Sequence, residues 1–169
     1  MIGRYLDSEL ISHGYNVEVT TSHPEKSSIK DGIHYLEATD FDSVEKIVSS
    51  GYRVIVNMMA VANPKKARQM PEYADKVNHG SVIAMLEAVK RLPDVSRPVI
   101  ILACSVLQYD VKESGLVHVD HPLIQSGDAY LLSKNKMFLD ALPYLKDGLD
   151  IRFAFIGNTT GEGHALGYF

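Results

Sequence analysis

The sequence predicts an α/β fold: a doubly wound parallel sheet with helices on both faces. Three observations carry that prediction. Apolar runs of strand length at Arg53 to Met59 (RVIVNMM), Val99 to Cys104 (VIILAC) and Leu149 to Ile156 (LDIRFAFI) read as buried parallel strands. Segments of helical periodicity lie between them. Glycine or proline marks the boundaries, as at Gly14, Gly51, Pro93, Pro98 and Gly148. Helices of this length between strands give βαβ units, whose crossovers lay helices on a parallel sheet.

Each element has its own local reason. Ile2 to His13 places Ile2, Tyr5, Leu6, Leu10 and Ile11 at helical spacing, and Gly14 stops the helix. Tyr15 to Thr20 (YNVEVT) alternates like a strand, and His34 to Glu37 is a second short one. Ser43 is placed to cap a helix carrying Val44, Ile47 and Val48. The longest helical pattern runs from Glu72 to Leu92, with Val77, Val82, Ile83, Leu86 and Val89 facing inward. Gln108 to Gly127, with Gly115 and Pro122, reads as a loop. Asp128 caps the next helix, Ala129 to Leu145, and residues 157–169 form a glycine-rich irregular tail. No repeat or linker divides the chain, so residues 1–169 are expected to form a single domain.

Composition narrows the function. Seventeen basic against 21 acidic residues give a net charge of −4, and Lys65, Lys66 and Arg68 are too short a basic cluster for nucleic acid. No apolar run approaches the ~20 residues of a membrane span. Asp7 and Glu9 stand where a secretion signal needs an apolar core. One cysteine, Cys104, fits a reducing compartment, so a cytoplasmic protein without nucleic-acid or membrane partners is expected.

Ligands of such sheets bind at the carboxyl ends of the strands. That places Thr21 and Ser22, Asp40, Met58 to Ala62, Ser105 and the segment after Ile156 under suspicion. Tyr130 and Lys134 stand four apart on one helix and therefore share a face. An ammonium beside a phenol favours the phenolate, which suits general acid–base work. Ser105, 25 residues earlier and directly after a strand, can hydrogen-bond a carbonyl or hydroxyl.

In this order the residues resemble the extended short-chain dehydrogenases/reductases, the NAD-dependent epimerase/dehydratase group that acts largely on nucleotide sugars. Ile2-Gly3-Arg4-Tyr5-Leu6 resembles the end of the glycine-rich turn, with Gly3 its last glycine. Leu36 to Asp42 (LEATDFD) resembles the acidic segment in which Asp40 and Phe41 meet the adenine. Val54 to Pro64 (VIVNMMAVANP) resembles the fourth strand and its cofactor-contacting turn, which here includes Met59 and Ala60. Val77-Asn78-His79-Gly80 resembles the Val-Asn-x-x-Gly of the central helix, Ser105 with Tyr109 the serine before Val-Tyr-Gly, and Tyr130 to Lys134 the Tyr-x-x-Ser-Lys.

The resemblance implies an NAD(P)-binding Rossmann-like domain performing hydride transfer, and so epimerisation, dehydration or reduction of a small-molecule substrate such as a nucleotide sugar. By that analogy Tyr130 is the acid/base, and Lys134 lowers its pKa and binds the nicotinamide ribose. Ser105 orients substrate, Asn78 holds the geometry, and Gly3, Thr21, Ser22, Asp40, Phe41, Met59 and Ala60 contact NAD or NADP. A homodimer through the Glu72 to Leu92 and Ala129 to Leu145 helices is implied in the same way.

Some positions depart from the pattern. Only Met1 and Ile2 precede Gly3, so on this reading the chain begins after the family's first strand, and it ends before a substrate-recognition region. The second strand ends Thr20-Thr21-Ser22-His23, without the acidic residue that binds the ribose of NAD and without an arginine for NADP. Asp110 stands where a glycine follows Tyr109. A catalytically inactive nucleotide-binding or interaction module of the same fold is the alternative. His118, Asp120 and His121 read as solvated loop residues rather than metal ligands, and Cys104 reads as core. Gly157, Gly161 and Gly163 do not make a phosphate loop, and Asn158-Thr159-Thr160 is a glycosylation acceptor in form only.

Overall fold

A computed structural model of the chain describes residues 2–110, 118 and 120–157. Gly115, the Asn158-Thr159-Thr160 sequence and the tail glycines Gly161 and Gly163 lie outside the described residues. The chain divides into two units, one over the described residues up to Glu37 and one over Ala38–Gly157.

In the first unit, α1 (Ile2–Ser12) follows the expected bounds. Gly14 ends it at φ 80°, where a side chain would be strained, and the amide of Tyr15 returns to the Leu10 carbonyl at 3.1 Å. β1 (Val19–Thr21) pairs in parallel with β2 (Ile33–Tyr35), Val19 opposite Ile33. Both strands are shorter than the sequence suggests. Gly32 turns the chain through φ 67° immediately before β2, and its carbonyl takes the Val19 amide at 2.8 Å. β1 therefore begins at Val19, four residues later than Tyr15.

The second unit holds β3 (Val54–Asn57), β4 (Val99–Ser105) and β5 (Ile151–Ile156), all parallel, in the order β3-β4-β5. The central strand buries Ile100, Leu102 and Cys104 almost completely, as the unbroken apolar run requires. Helix α2 (Phe41–Val48) precedes the sheet and packs Val44 and Val48 toward α5. Its N-cap is Asp40, not Ser43: Asp40 has the extended backbone, and its carbonyl accepts the Val44 amide at 3.1 Å. Ser43 lies already inside the first turn.

The β3–β4 connection contains α3 (Pro64–Gln69), α4 (Pro71–Asp75), a π turn over Lys76–Gly80 and α5 (Ser81–Arg91). Helix α3 was not expected, because six residues carry no readable period. Its signal is the Asn63-Pro64 pair, in which Asn63 Oδ1 caps the Lys66 amide at 3.0 Å and proline takes the first position. The single pattern from Glu72 to Leu92 becomes two α-segments joined by the wider π turn. A π turn adds a residue to one helical turn, and here Val77 and Asn78 in that turn are both buried.

After β4, Ser105 caps a 3₁₀ turn (Val106–Gln108), and Tyr109 bridges antiparallel to Leu123. Part of the expected loop is thus held by main-chain bonds, from Asp110 to Pro122 at 2.7 Å and from Ile124 to Gln108 at 2.8 Å. Helix α6 (Ala129–Lys146) starts as predicted, with Asp128 Oδ1 accepting the Leu131 amide at 3.0 Å. It lies against β4, β5 and α5, and Phe138 meets Phe153 and Phe155 edge-on. Among the described residues no helix is long and apolar enough to cross a membrane.

Candidate active site

Three consecutive residues on the inner face of α6, Ser133, Lys134 and Asn135, are polar and buried. A helix that packs on a sheet normally places aliphatic residues there. Each of the three has a specific partner, and together they tie α6 to the carboxyl end of the sheet.

Lys134 is 4% exposed, and its Nζ donates to the Ala103 carbonyl at 2.8 Å, two residues before the end of β4. Burial lowers its pKa, because an ammonium is costly away from water. Burial likewise pushes the Cys104 thiol up to about 11, with the Lys134 charge opposing. Tyr130 is partly buried against Val61, Ala67, Ala74 and Val77. Its phenol is raised, first by burial and then by Cys104 and Asp128. This corrects the expectation of a depressed phenol. The lysine ammonium is engaged by a backbone carbonyl, and desolvation dominates at the tyrosine.

Asn78 is fully buried in the π turn. Its Oδ1 accepts the Val61 amide at 2.7 Å and its Nδ2 donates to Ser133 Oγ at 2.9 Å. Ser133 then donates to the Tyr130 carbonyl at 2.7 Å. One amide side chain therefore connects the turn after β3 to the first turn of α6, at the residue that carries the phenol. The glycine expected near it stands elsewhere. Val-Asn-x-x-Gly counted from Val77 reaches Ser81, and Gly80 comes one residue early. Ser81 is fully buried, with Oγ on the Val77 carbonyl at 2.6 Å, while a Cβ on Gly80 would lie 3.4 Å from the Phe41 ring.

Ser105 is 8% exposed. Its amide donates to Gln108 Oε1 at 2.7 Å, and its Oγ accepts the Leu107 amide at 3.3 Å. Gln108, fully buried, passes from its Nε2 to Asn135 Oδ1 at 3.1 Å, and Asn135 Nδ2 reaches the Ile124 carbonyl at 2.7 Å. The serine turn, α6 and the 122–124 segment are thereby one hydrogen-bonded unit. Sequence reading did not single out Gln108 or Asn135. A long amide three residues after a strand-end serine was the available signal.

Asn57 ends β3 and is 6% exposed. Its Oδ1 accepts the Met59 amide at 2.9 Å, which shapes the turn carrying Met59 and Ala60. Its Nδ2 is buried without a hydrogen-bond partner among the described residues. Asp40 and Phe41 open α2, both exposed, and the Lys76 ammonium stands 5.8 Å over the Phe41 ring. Gly3, Thr21 and Ser22 belong to the first unit. A Cβ on Gly3 meets nothing within 4 Å, and Thr21 Oγ1 accepts the His23 amide at 3.2 Å. The His118 amide donates to His121 Nδ1 at 2.9 Å and the two rings stack.

The model of the NAD dependent epimerase/dehydratase family matches residues 1–166. The chain belongs to this family. No curated protein matches it. Among solved structures, a candidate epimerase from Burkholderia cenocepacia J2315 is 24% identical with a TM-score of 0.75, covering 96% of this chain and 52% of the other. UDP-glucose 4-epimerase of Thermotoga maritima, solved with UDP-glucose, is 15% identical with a TM-score of 0.70, covering 90% and 51%. RMD from Pseudomonas aeruginosa, solved with NADPH, is 14% identical with a TM-score of 0.66, covering 87% and 55%. These likenesses are of fold, and the chain spans about half the length of those structures. Membership accounts for the parallel strands and for polar side chains gathered at their carboxyl ends.

Proposed function

We propose that the chain serves an NAD(P)-dependent oxidoreductase of the epimerase, dehydratase or reductase type, acting on a nucleotide sugar or a similar hydroxyl or carbonyl substrate. The observation that carries this reading is the link from the turn after β3 through Asn78 and Ser133 to Tyr130, with Lys134 and Ser105 at the end of β4. Residues 1–169 belong, on this reading, to one NAD(P)-binding domain.

The residues present fit a dinucleotide. Asn57 holds a buried donor without an acceptor among the described residues, at a strand end where such ligands bind. Met59 and Ala60 form the turn beside it, and Lys134 supplies a cation on the β4 side. Bound nicotinamide supplies the hydride acceptor and donor. Tyr130 moves the proton at the substrate hydroxyl or carbonyl, and Ser105 Oγ orients that oxygen. Lys134 favours the phenolate once its ammonium turns from the Ala103 carbonyl. Asn78 keeps the Tyr130 turn in place. Asp40 and Phe41 serve the adenine, and Gly3, Thr21 and Ser22 the phosphate and ribose, with Thr21 and Ser22 compatible with NAD and with NADP.

Leu132 and Leu139, seven residues apart and so on one face of α6, are 40% and 51% exposed, which supports the α6 part of a homodimer formed through α5 and α6. The single cysteine and the acidic balance support a cytoplasmic setting. The raised Tyr130 and the occupied Lys134 favour one second reading, a nucleotide-binding module without turnover.

Titration with NADH and NADPH, followed by nicotinamide fluorescence, tests the proposal. Saturable binding of one or both is expected, and Tyr130→Phe is expected to abolish turnover while leaving that affinity within about twofold. Failure of both cofactors to bind would remove the proposal. Turnover retained by Tyr130→Phe would take the acid/base role from Tyr130.

A further inference from the structure

We infer that Gln108 and Asn135 are positioning residues for Ser105: their buried amide pair fixes the Ser105 turn so that the hydroxyl keeps its hydrogen for the substrate oxygen. This rests on the role proposed above for Ser105 and assigns two further residues to it.

The polarity of the pair is settled at both ends by main-chain groups. The Ser105 N–H can only donate, so the Gln108 atom 2.7 Å from it is Oε1. The Ile124 carbonyl can only accept, so the Asn135 atom 2.7 Å from it is Nδ2. The remaining amide atoms, Gln108 Nε2 and Asn135 Oδ1, then meet as donor and acceptor at 3.1 Å. Neither amide can turn over without setting two donors or two acceptors against each other. A buried polar chain satisfied at every link holds one geometry.

A plain turn after β4 asks for less. The capping box at Ser105 needs only an acceptor at Gln108, and glutamate would supply it. Gln108 takes the valine position of the Val-Tyr-Gly pattern, where an apolar residue suits the same turn. The amide adds a donor, and that donor ties the turn to Asn135, the residue after Lys134 on α6. The serine is thereby set against the helix that carries the phenol and the ammonium. What remains at Ser105 is one hydrogen. Its Oγ accepts the Leu107 amide at 3.3 Å, and its hydroxyl hydrogen has no acceptor among the described residues. Held in this way, the hydroxyl presents a donor to a substrate carbonyl or hydroxyl oxygen.

Single-turnover oxidation of UDP-glucose and of dTDP-glucose by bound NAD, read as NADH absorbance, tests this. The sugar carbon gives its hydride to NAD, and Tyr130 takes the hydroxyl proton. Gln108→Leu is expected to slow that step about ten- to hundredfold, with NADH affinity within about twofold of the parent. In a Ser105→Ala background the same change is expected to slow it by less than about twofold, because the group being positioned is gone. Asn135→Leu, which acts through Gln108, is expected to follow the same pattern with a smaller loss. Gln108→Glu keeps the acceptor and loses the donor. It replaces the leucine variant should that one fail to fold, and its loss is likewise expected to disappear with Ser105→Ala. A loss of equal size with and without the Ser105 hydroxyl would overturn the inference, by making the pair a support of the fold. A folded Gln108 variant at the parental rate would overturn it also. A parent that binds NADH but oxidises neither sugar would overturn the inference and leave the cofactor reading standing. A parent that binds neither NADH nor NADPH would overturn both.

Discussion

Lys134 and Tyr130 carry opposite consequences of the same burial. Burial of the Lys134 ammonium lowers its folded pKa below 10.5, so the folded state releases that proton first. The contribution of this group is full above 10.5 and is lost as pH falls through the folded value. Tyr130 is raised above 10.0, so its contribution is full below that pH and is lost as pH rises through the higher folded value. As pH rises toward 10.5 the lysine makes stability rise, while Cys104, raised from 9.0 to about 11, makes it fall. Urea unfolding at pH 7, 8, 9 and 10 is expected to show a rising contribution in the parent that Lys134→Met lacks, with pH 7 stability changed by no more than about 1 kcal/mol. An identical slope in both proteins would remove Lys134 as its source. Cys104, with its thiol near 11, has about a thousandth of its population as thiolate at pH 8. Alkylation by iodoacetamide at pH 8 is expected to be far slower in the native chain than in the urea-unfolded one. Equal rates would show the thiol open to solvent. Tyr130, Lys134 and Ser105 were legible because their spacing is itself the signal. The direction of the Tyr130 shift was not, since it depends first on burial of the phenol against side chains from other elements.

Helix α6 connects the candidate site to the rest of the second unit through amides. Gln108 and Asn135 satisfy each other across it, and each also holds a main-chain group. Replacing either by leucine strands its buried partner, whereas replacing both removes the donor and the acceptor together. Each single change is expected to cost about 2–3 kcal/mol, and the double variant less than the sum by about 1 kcal/mol or more, read from a double-mutant cycle in urea. Strict additivity would mean the 3.1 Å contact carries no coupling. The start of α6 was readable from Asp128 because an N-cap is a local device. The π turn of Lys76–Gly80 was not, because its extra residue answers to where Asn78 must point and no period records that. The α2 cap moved from Ser43 to Asp40 for a related reason: both residues can cap, and the chain direction after Ala38 decides between them.

At the scale of the whole chain, the paired strands among the described residues are parallel, and the residues proposed for chemistry sit after β3, after β4 and on the first turns of α6. Apolar runs announced β3, β4 and β5 because a strand covered on both faces has no polar alternation to confuse it. β1 and β2 were legible only roughly, since their length is set by Gly32 and by pairing rather than by composition. Family membership and the buried Asn78 link support the proposal that Tyr130 is the proton-transfer group of a nicotinamide site. The ultraviolet absorbance of phenolate tests it without a known substrate. Titrated with pH in saturating NAD, whose nicotinamide ring is positive, one tyrosine is expected to ionise below pH 10, and that step is expected to vanish in Tyr130→Phe. No tyrosine ionising below 10 with NAD bound, or a step that survives Tyr130→Phe, would contradict the account.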